Sequence, residues 1–553
     1  MSDILLFTIL SYFLMEISHT DILNILKTIS ENPAEYIIGF LFLFCLYLLF
    51  SLIFSKKRGF VFIGIYTFIF SIANYMTSTV NDKFFSFRDV ALLGGKSNVF
   101  VMFIPIFLKP VYLAYIFSTV VFLIICVRYS KHIETNFNFI KTKSLYELLC
   151  ALSLSFLIIS PQIIPDAEHF FISATLNDFK ISHIFSEEGV IQNQFLHIEK
   201  NGNLENLLGE EHKNADVVII QSETFFNPEI LRDTKYDTNV TKNFKKYQSQ
   251  GLSGRVFVPV LGGLTCNSEF EFLTGMRISK LQHMDVPYEM MDYHNIEALP
   301  KDFVNSGYSA IAVHGYERNF FNRDKVYPVL GIQKFIAQDD FNSPTNYGPW
   351  TSDEDVFNKI LEELDGKGNK FIFTVTVQNH GPFEISEGNP INVTGISDAD
   401  RESFTNYLNG LKISDDALEN FMQALSKRQK ETIVCFYGDH IIGKQHRSIM
   451  NDGYFKEDIN RRYMTDYFLW SSKGTIPSNK RNISILTLGR LTKACVLPLT
   501  YYDNFVMQTF DNEKTYFGEI TPKEKENAYK TVINRMMKDG VLYPEIYENM
   551  DRK

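Results

Sequence analysis

The stretch Thr432–His440 reads TIVCFYGDH. Its first six residues are β-branched, aromatic or cysteine, and none carries a charge. An apolar run without polar alternation marks a strand covered on both faces, the pattern of parallel sheets. Gly438 ends the run, and Asp439 and His440 follow at once. In an open α/β sheet, ligands bind just beyond the carboxyl ends of the strands, so these two residues stand where chemistry is expected.

Working outward, four more runs share the pattern: Val217–Gln221 (VVIIQ), Ser309–His314 (SAIAVH), Phe371–Val377 (FIFTVTV) and Tyr467–Ser471 (YFLWS). Between two of them, Leu418, Phe421, Met422 and Leu425 fall on one helical face. Strands alternating with helices predict an α/β domain with a mostly parallel sheet over 216–553. The tail from about Pro522 is charged and reads as a helix ending at Gly540.

Polar residues close the strands. Glu223 follows VVIIQS, His314 and Gly315 follow SAIAV, and His380 follows FIFTVTVQN. Any one of these is most often a solvated loop residue. Together with Asp439 and His440 they form a set of oxygen and imidazole donors suited to Mn²⁺, Mg²⁺ or Zn²⁺. The segment Val260–Gly275, VLGGLTCNSEFEFLTG, adds a tight Gly-Gly turn before a helix opening at Thr265. A helix N-terminus favours anions. On these residues alone, Thr265 reads equally as a helix cap or as a hydroxyl nucleophile.

Residues 1–165 have another character. Uncharged runs cover 36–55, 59–81, 110–127 and 148–165, each long enough to cross about 30 Å of hydrocarbon as a helix; 4–15 is a shorter candidate. Repeated runs exclude a single cleaved leader and predict a helical transmembrane domain of four to five spans. Seven basic residues crowd the 20 positions 56–58 and 128–144, against five in the 47 positions 18–35 and 82–110. Basic loops stay cytoplasmic, which puts everything after about Asp166 outside. The stretch 84–108 is then an external loop, and 166–215 a polar linker with room for a helix. The chain of 553 residues carries a net charge of -10, which argues against phosphate-backbone binding, and 45% apolar residues exclude a disordered chain. Six cysteines without paired or zinc-type spacing give no disulfide framework.

The ordered set SETFFNP, GGLTCNSEFEFLTG, VHGYERNFFNRD, TVQNHGPFE and FYGDH resembles the lipoteichoic acid synthase-like phosphoglycerol transferases of the alkaline phosphatase/sulfatase superfamily. The resemblance covers roughly 215–500. It implies Glu223, Thr265, Asp439 and His440 as ligands of a divalent metal, usually Mn²⁺. It implies Thr265 as nucleophile, His380 as a catalytic and substrate-binding group, and Arg323, His314 and Phe321 around the phosphoglycerol moiety. It implies phosphatidylglycerol as donor lipid and a surface polysaccharide or teichoic acid as acceptor, at the bacterial cytoplasmic membrane. Two departures touch the acceptor side: Phe321 stands where the family usually has Trp, and Tyr316 where a small polar residue is usual. The alternatives are a phosphoethanolamine transferase, a sulfatase-like hydrolase, and an inactive member acting as a scaffold. The hydrolase lacks support in its signature, because Cys266 is followed by Asn267, Ser268, Glu269 and Phe270 rather than a C-x-P-x-R motif.

Overall fold

The apolar runs 36–55, 59–81 and 110–127 fall largely within helices. The structure, a computed structural model, describes residues 2–17, 25, 28–30, 33–81, 110–129, 208, 212, 214–281, 286–290, 296–384, 391–444, 446–510 and 512–518. The run 148–165, the stretch 84–108, nearly all of the linker and the tail beyond 522 lie outside the described residues. The chain divides into two units.

The helical unit contains α1 (Ser2–Ile17), α2 (Pro33–Ile53), α3 (Lys56–Asn81) and α4 (Pro110–Tyr129). Tyr12, Leu43, Tyr47, Phe60, Ile63 and Cys126 are buried among these helices. Gly64 lets α3 and α4 approach, since a Cβ there would lie 2.8 Å from Cys126 Cβ. Among the described residues one helix, over Lys57–Tyr75, is long and apolar enough to cross a membrane; Tyr36–Ser51 and Ile116–Arg128 are shorter apolar helices.

The α/β unit runs in chain order through β1 (Asp216–Ser222), α5 (Lys242–Gln248), β2 (Leu252–Phe257), α6 (Thr265–Thr274), α7 (Leu299–Asn305), β3 (Ser309–His314), α8 (Arg323–Val329), β4 (Lys334–Ile336), α9 (Asp353–Leu364), β5 (Lys370–Val375), α10 (Asp398–Lys427), β6 (Thr432–Gly438), β7 (Met464–Ser471), β8 (Asn479–Lys480), β9 (Ile483–Ser484), α11 (Ile485–Ala494) and α12 (Tyr501–Thr509). The sheet order is β8-β2-β7-β6-β1-β5-β3-β4, with β9 also on β2. The strands from β6 to β4 are parallel. β7 runs antiparallel to both β6 and β2. The run at Tyr467–Ser471 is therefore a strand, as read, but not a parallel one: burial on both faces makes a run apolar whichever way it points. β2 was not legible as a strand because Gly254 and Arg255 interrupt it; Arg255 pairs with Asp466 of β7 at 3.0 Å.

Alternate residues of each strand feed two cores. Val218, Ile220, Ile372, Val434 and Phe436 pack beneath α5, α9 and α10, where Leu418, Phe421, Met422 and Leu425 form the buried face read from the sequence. On the other face, Phe272 of α6 lies against Tyr437 and Phe373, with ring centroids 4.9 and 6.1 Å apart. The carboxyl ends of β1, β3, β5 and β6 open side by side, and α6 begins beside them.

Candidate active site

Glu223 leaves β1 with its backbone N–H bound to Thr376 Oγ1, just past β5 (3.1 Å). Thr224 takes a left-handed turn at φ 48°. That turn sends the Thr224 N–H to Asp439 Oδ1 (2.8 Å) and its hydroxyl to Glu223 Oε1 (2.6 Å). The loops after β1 and β6 touch because residue 438 is glycine: a Cβ there would collide with Phe225 O at 1.8 Å. Asp439 Oδ1 also accepts the His440 N–H at 2.7 Å. His440 Nδ1 donates to Ile441 O (2.9 Å). That assigns the tautomer, and Nε2 is left as the basic atom. It points at Asp439 Oδ2 (3.3 Å) and Glu223 Oε1 (3.6 Å).

Thr265 is the first residue of α6, preceded by Leu264 at φ 59°. Its hydroxyl donates to Glu223 Oε2 at 3.2 Å. Gln221 Nε2 holds the Thr265 carbonyl (3.1 Å), and Ser268 Oγ holds that of Asp439 (2.8 Å). One ligand atom from each of Glu223, Asp439 and His440 lies within 4.8 Å of the others; among the described residues no other trio of His, Cys, Asp or Glu is gathered this way.

Burial and then the charge of Glu223 push the Asp439 carboxyl well above the usual carboxylate range, and burial lowers His440. Asp439 Oδ2 and His440 Nε2 are buried with no hydrogen-bond partner. Orphaned acceptor atoms facing one another are costly unless a cation lies between them. The donor set of Glu223, Asp439 and His440 therefore fits a divalent metal, and the Thr265 hydroxyl lies beside it on Glu223.

His314 and Arg323 meet in a second cluster. His314 Nδ1 donates to Val375 O (2.9 Å), so its Nε2 accepts from Arg323 Nη1 (3.2 Å). Burial and then the Arg323 charge hold His314 well below the usual imidazole range, hence neutral. Arg323 is 1% and Glu269 0% exposed. Arg323 Nε lies 3.1 and 3.2 Å from the two Glu269 oxygens, and Tyr327 OH donates to Glu269 Oε2 at 2.7 Å. The rings of Phe320 and Phe321 flank the guanidinium at 5.8 and 5.4 Å. Phe321, expected beside the phosphoglycerol, is thus next to Arg323. His380 lies against Trp350, ring centroids 4.9 Å apart, and Trp350 in turn against Tyr316 at 5.5 Å.

The sequence-predicted residues thus assemble in two linked groups, with Glu223, Thr265, Asp439 and His440 in one and His314 and Arg323 in the other. α6 links them, since Glu269 lies one helical turn after Thr265. Glu269, Tyr327 and Trp350 were missed. The i, i+4 spacing of Thr265 and Glu269 was the available signal; Trp350 left none.

A parallel sheet with a buried Glu–Thr–Asp–His site at its carboxyl edge defines an α/β phosphatase-type domain, that of the alkaline phosphatase superfamily. Within it the chain belongs to the sulfatase family, whose model, described as "Sulfatase", matches residues 215–490. The chain is 29% identical over 320 residues to a Rhizobium meliloti protein assigned to cyclic beta-1,2-glucan modification, covering 55% of this chain and 49% of the relative. It is 26% identical over 172 residues to the lipoteichoic acid synthase-like YvgJ of Bacillus subtilis, covering 30% of this chain and 28% of that one. The chain therefore spans about half the length, or less, of these curated relatives. Two solved structures share the fold. One is the Streptococcus pyogenes phosphoglycerol transferase GacH in complex with sn-glycerol-1-phosphate (TM-score 0.53, 23% identity, 63% of this chain and 92% of that chain). The other is the integral membrane lipooligosaccharide phosphoethanolamine transferase A of Neisseria meningitidis (TM-score 0.52, 12% identity, 89% and 95%).

Proposed function

We propose that the protein is a membrane-bound, metal-dependent phosphoglycerol transferase. It moves glycerol phosphate from phosphatidylglycerol to a hydroxyl of a cell-surface glycan or teichoic acid-type acceptor, through a phosphoglycerol–Thr265 ester. The observation that carries this reading is the Thr265 hydroxyl at a helix N-terminus, bonded to Glu223 beside the orphaned Asp439 Oδ2 and His440 Nε2.

Glu223, Asp439, His440 and Thr265 would hold the metal, Mn²⁺ by family resemblance, with Mg²⁺ and Zn²⁺ also suited to these donors. When bound, a divalent cation lowers the pKa of a coordinated hydroxyl and offsets charge on phosphate oxygens. Thr265 Oγ1 attacks phosphorus, its proton directed at Glu223; the diacylglycerol oxygen leaves and takes up a proton. An acceptor hydroxyl then displaces Thr265 and returns the proton. His380 stands beside this path as a hydrogen-bonding or proton-transfer group. Arg323, held by Glu269 and His314, and Phe321 line the phosphoglycerol side.

The membrane reading has its own support. Of the thirteen exposed large hydrophobic residues among those described, twelve lie between Ile9 and Val127, and the other is Ile459. Apolar surface concentrated on one helical unit is what lipid would cover. On this reading the helical unit sits in the bacterial cytoplasmic membrane and the α/β domain outside.

Full-length protein in phosphatidylglycerol vesicles tests the proposal. Diacylglycerol should be released with divalent metal and not after chelation. Release from phosphatidylethanolamine instead would point to a phosphoethanolamine transferase, and release from neither lipid would sink the reading.

A further inference from the structure

Asn379, the neighbour of His380, is 3% exposed. Its orientation follows from the protons around it. Ser414 Oγ, on α10, donates to Asp353 Oδ2 at 2.6 Å. Its single proton is spent there, so it accepts the other two contacts, from Gln378 Nε2 (3.1 Å) and Asn379 Nδ2 (3.0 Å). Asn379 Oδ1 therefore points away from Ser414, and this buried oxygen has no hydrogen-bond partner.

What it meets is Gly410, also on α10. A Cβ on Gly410 would lie 2.8 Å from Asn379 Oδ1 and 3.3 Å from Tyr347 Cε1. Beside this close contact lies a recess lined by Tyr347, Asn379, His380, Phe383, Asn406 and Gly410, with about 10 Å³ of room for the centre of a water-sized group. That is about what one water or one hydroxyl needs. No Lys, Arg, Asp or Glu lines it.

We infer that this recess receives one alcohol hydroxyl, which donates its proton to Asn379 Oδ1 beside His380. A carbonyl oxygen without a donor repels an anion, which excludes phosphate. An ammonium would be buried without a counter-charge. The faces of Tyr347 and Phe383 suit the C–H flank of a polyol or sugar. The identity of the alcohol rests on the phosphoglycerol-transfer reading: it is a hydroxyl of the transferred glycerol or of the acceptor glycan.

Two variants test this in full-length, metal-loaded protein. Gly410→Ala places a methyl against Asn379 Oδ1 and displaces that oxygen; Asn379→Leu removes the acceptor oxygen. Binding is measured with three probes: sn-glycerol 1-phosphate, propyl phosphate (which lacks the hydroxyls) and a short β-glucan oligosaccharide. If the recess takes the glycerol hydroxyl, wild type prefers glycerol phosphate to propyl phosphate by about tenfold, one hydrogen bond's worth, and both variants lose that preference. If it takes the acceptor, the variants weaken oligosaccharide binding by a similar factor and leave the phosphate pair unchanged. Variants that melt like wild type and bind all three probes like wild type overturn the inference. Because these are binding measurements, failure to release diacylglycerol from phosphatidylglycerol would reject the proposed reaction and leave the recess to be decided separately.

Discussion

Thr265 and Cys266 are neighbours, and in water the thiol would be the better nucleophile. In the fold Cys266 is fully buried, and burial followed by the charge of Glu269 pushes its thiol well above the ordinary range. Thr265 alone faces Glu223. Thr265→Ala should lower diacylglycerol release by a factor on the order of 10⁴ or more with an unchanged melting temperature. Cys266→Ser should keep most activity, and a thiol-alkylating reagent should inhibit weakly. Mass spectrometry of protein trapped with donor lipid should find the added phosphoglycerol on Thr265; finding it on Cys266 would overturn the mechanism. At this scale much was legible. Glu223, His314, His380, Asp439 and His440 each follow an apolar run, and the Gly-Gly turn marked a helix start at Thr265, which on those residues alone reads equally as a cap or a nucleophile. What stayed hidden were the partners. Glu269 reads as one of two Glu in NSEFEFLTG, and only the fold shows that its counter-charge lies 54 residues away in Arg323. Trp350 lies outside every strand-end pattern.

Elements here are held by buried charges. Arg323, the first residue of α8, and Glu269 of α6 are both out of reach of water. Removing one member of such a pair strands the other, at a cost of about 3–5 kcal/mol. Glu269→Gln should therefore lower the denaturant midpoint sharply. Glu269→Gln combined with Arg323→Met should cost less than the sum of the single changes, and additive costs would mean that the pair is not coupled. Asp353, at the start of α9, gives a pH test. It is 1% exposed, and burial raises its pKa from 3.8 to about 6. A raised carboxyl pKa means that the folded state keeps a proton the unfolded chain has released. This contribution to stability is full below about pH 4 and is lost as pH rises through 6, about 3 kcal/mol in all. The stability of Asp353→Asn relative to wild type should rise by roughly that amount between pH 4 and pH 7; a flat difference would contradict it. Helix α10 and its buried face were readable from the spacing of Leu418, Phe421, Met422 and Leu425. The direction of β7 was not, because periodicity reports coverage and says nothing about orientation.

For the whole molecule, the basic residues at 56–58 and 128–144 make topology the decisive question. A reporter active only outside the cell, fused after Ala167, should work; activity only from a cytoplasmic reporter would reverse the orientation. The contrast between an apolar first part and an α/β remainder was plain from composition, whereas the number of crossings was not, since a run's length alone does not separate a span from a packed apolar helix. One feature of the α/β domain bears on the reaction's outcome in space. All ten residues of α6 are buried, and Arg490 of α11 grips its far end through the carbonyls of Phe272 (3.1 Å) and Leu273 (3.0 Å). Thr265, itself 7% exposed, stands at the opposite end of this fixed helix. On the proposed reaction the Thr265 oxygen leaves in line, so the acceptor must arrive where the diacylglycerol departed. Each in-line displacement turns the phosphorus centre inside out, and two from the same mouth restore it. An isotopically chiral phosphoglycerol should therefore emerge with its handedness retained, whereas direct passage from lipid to glycan would invert it.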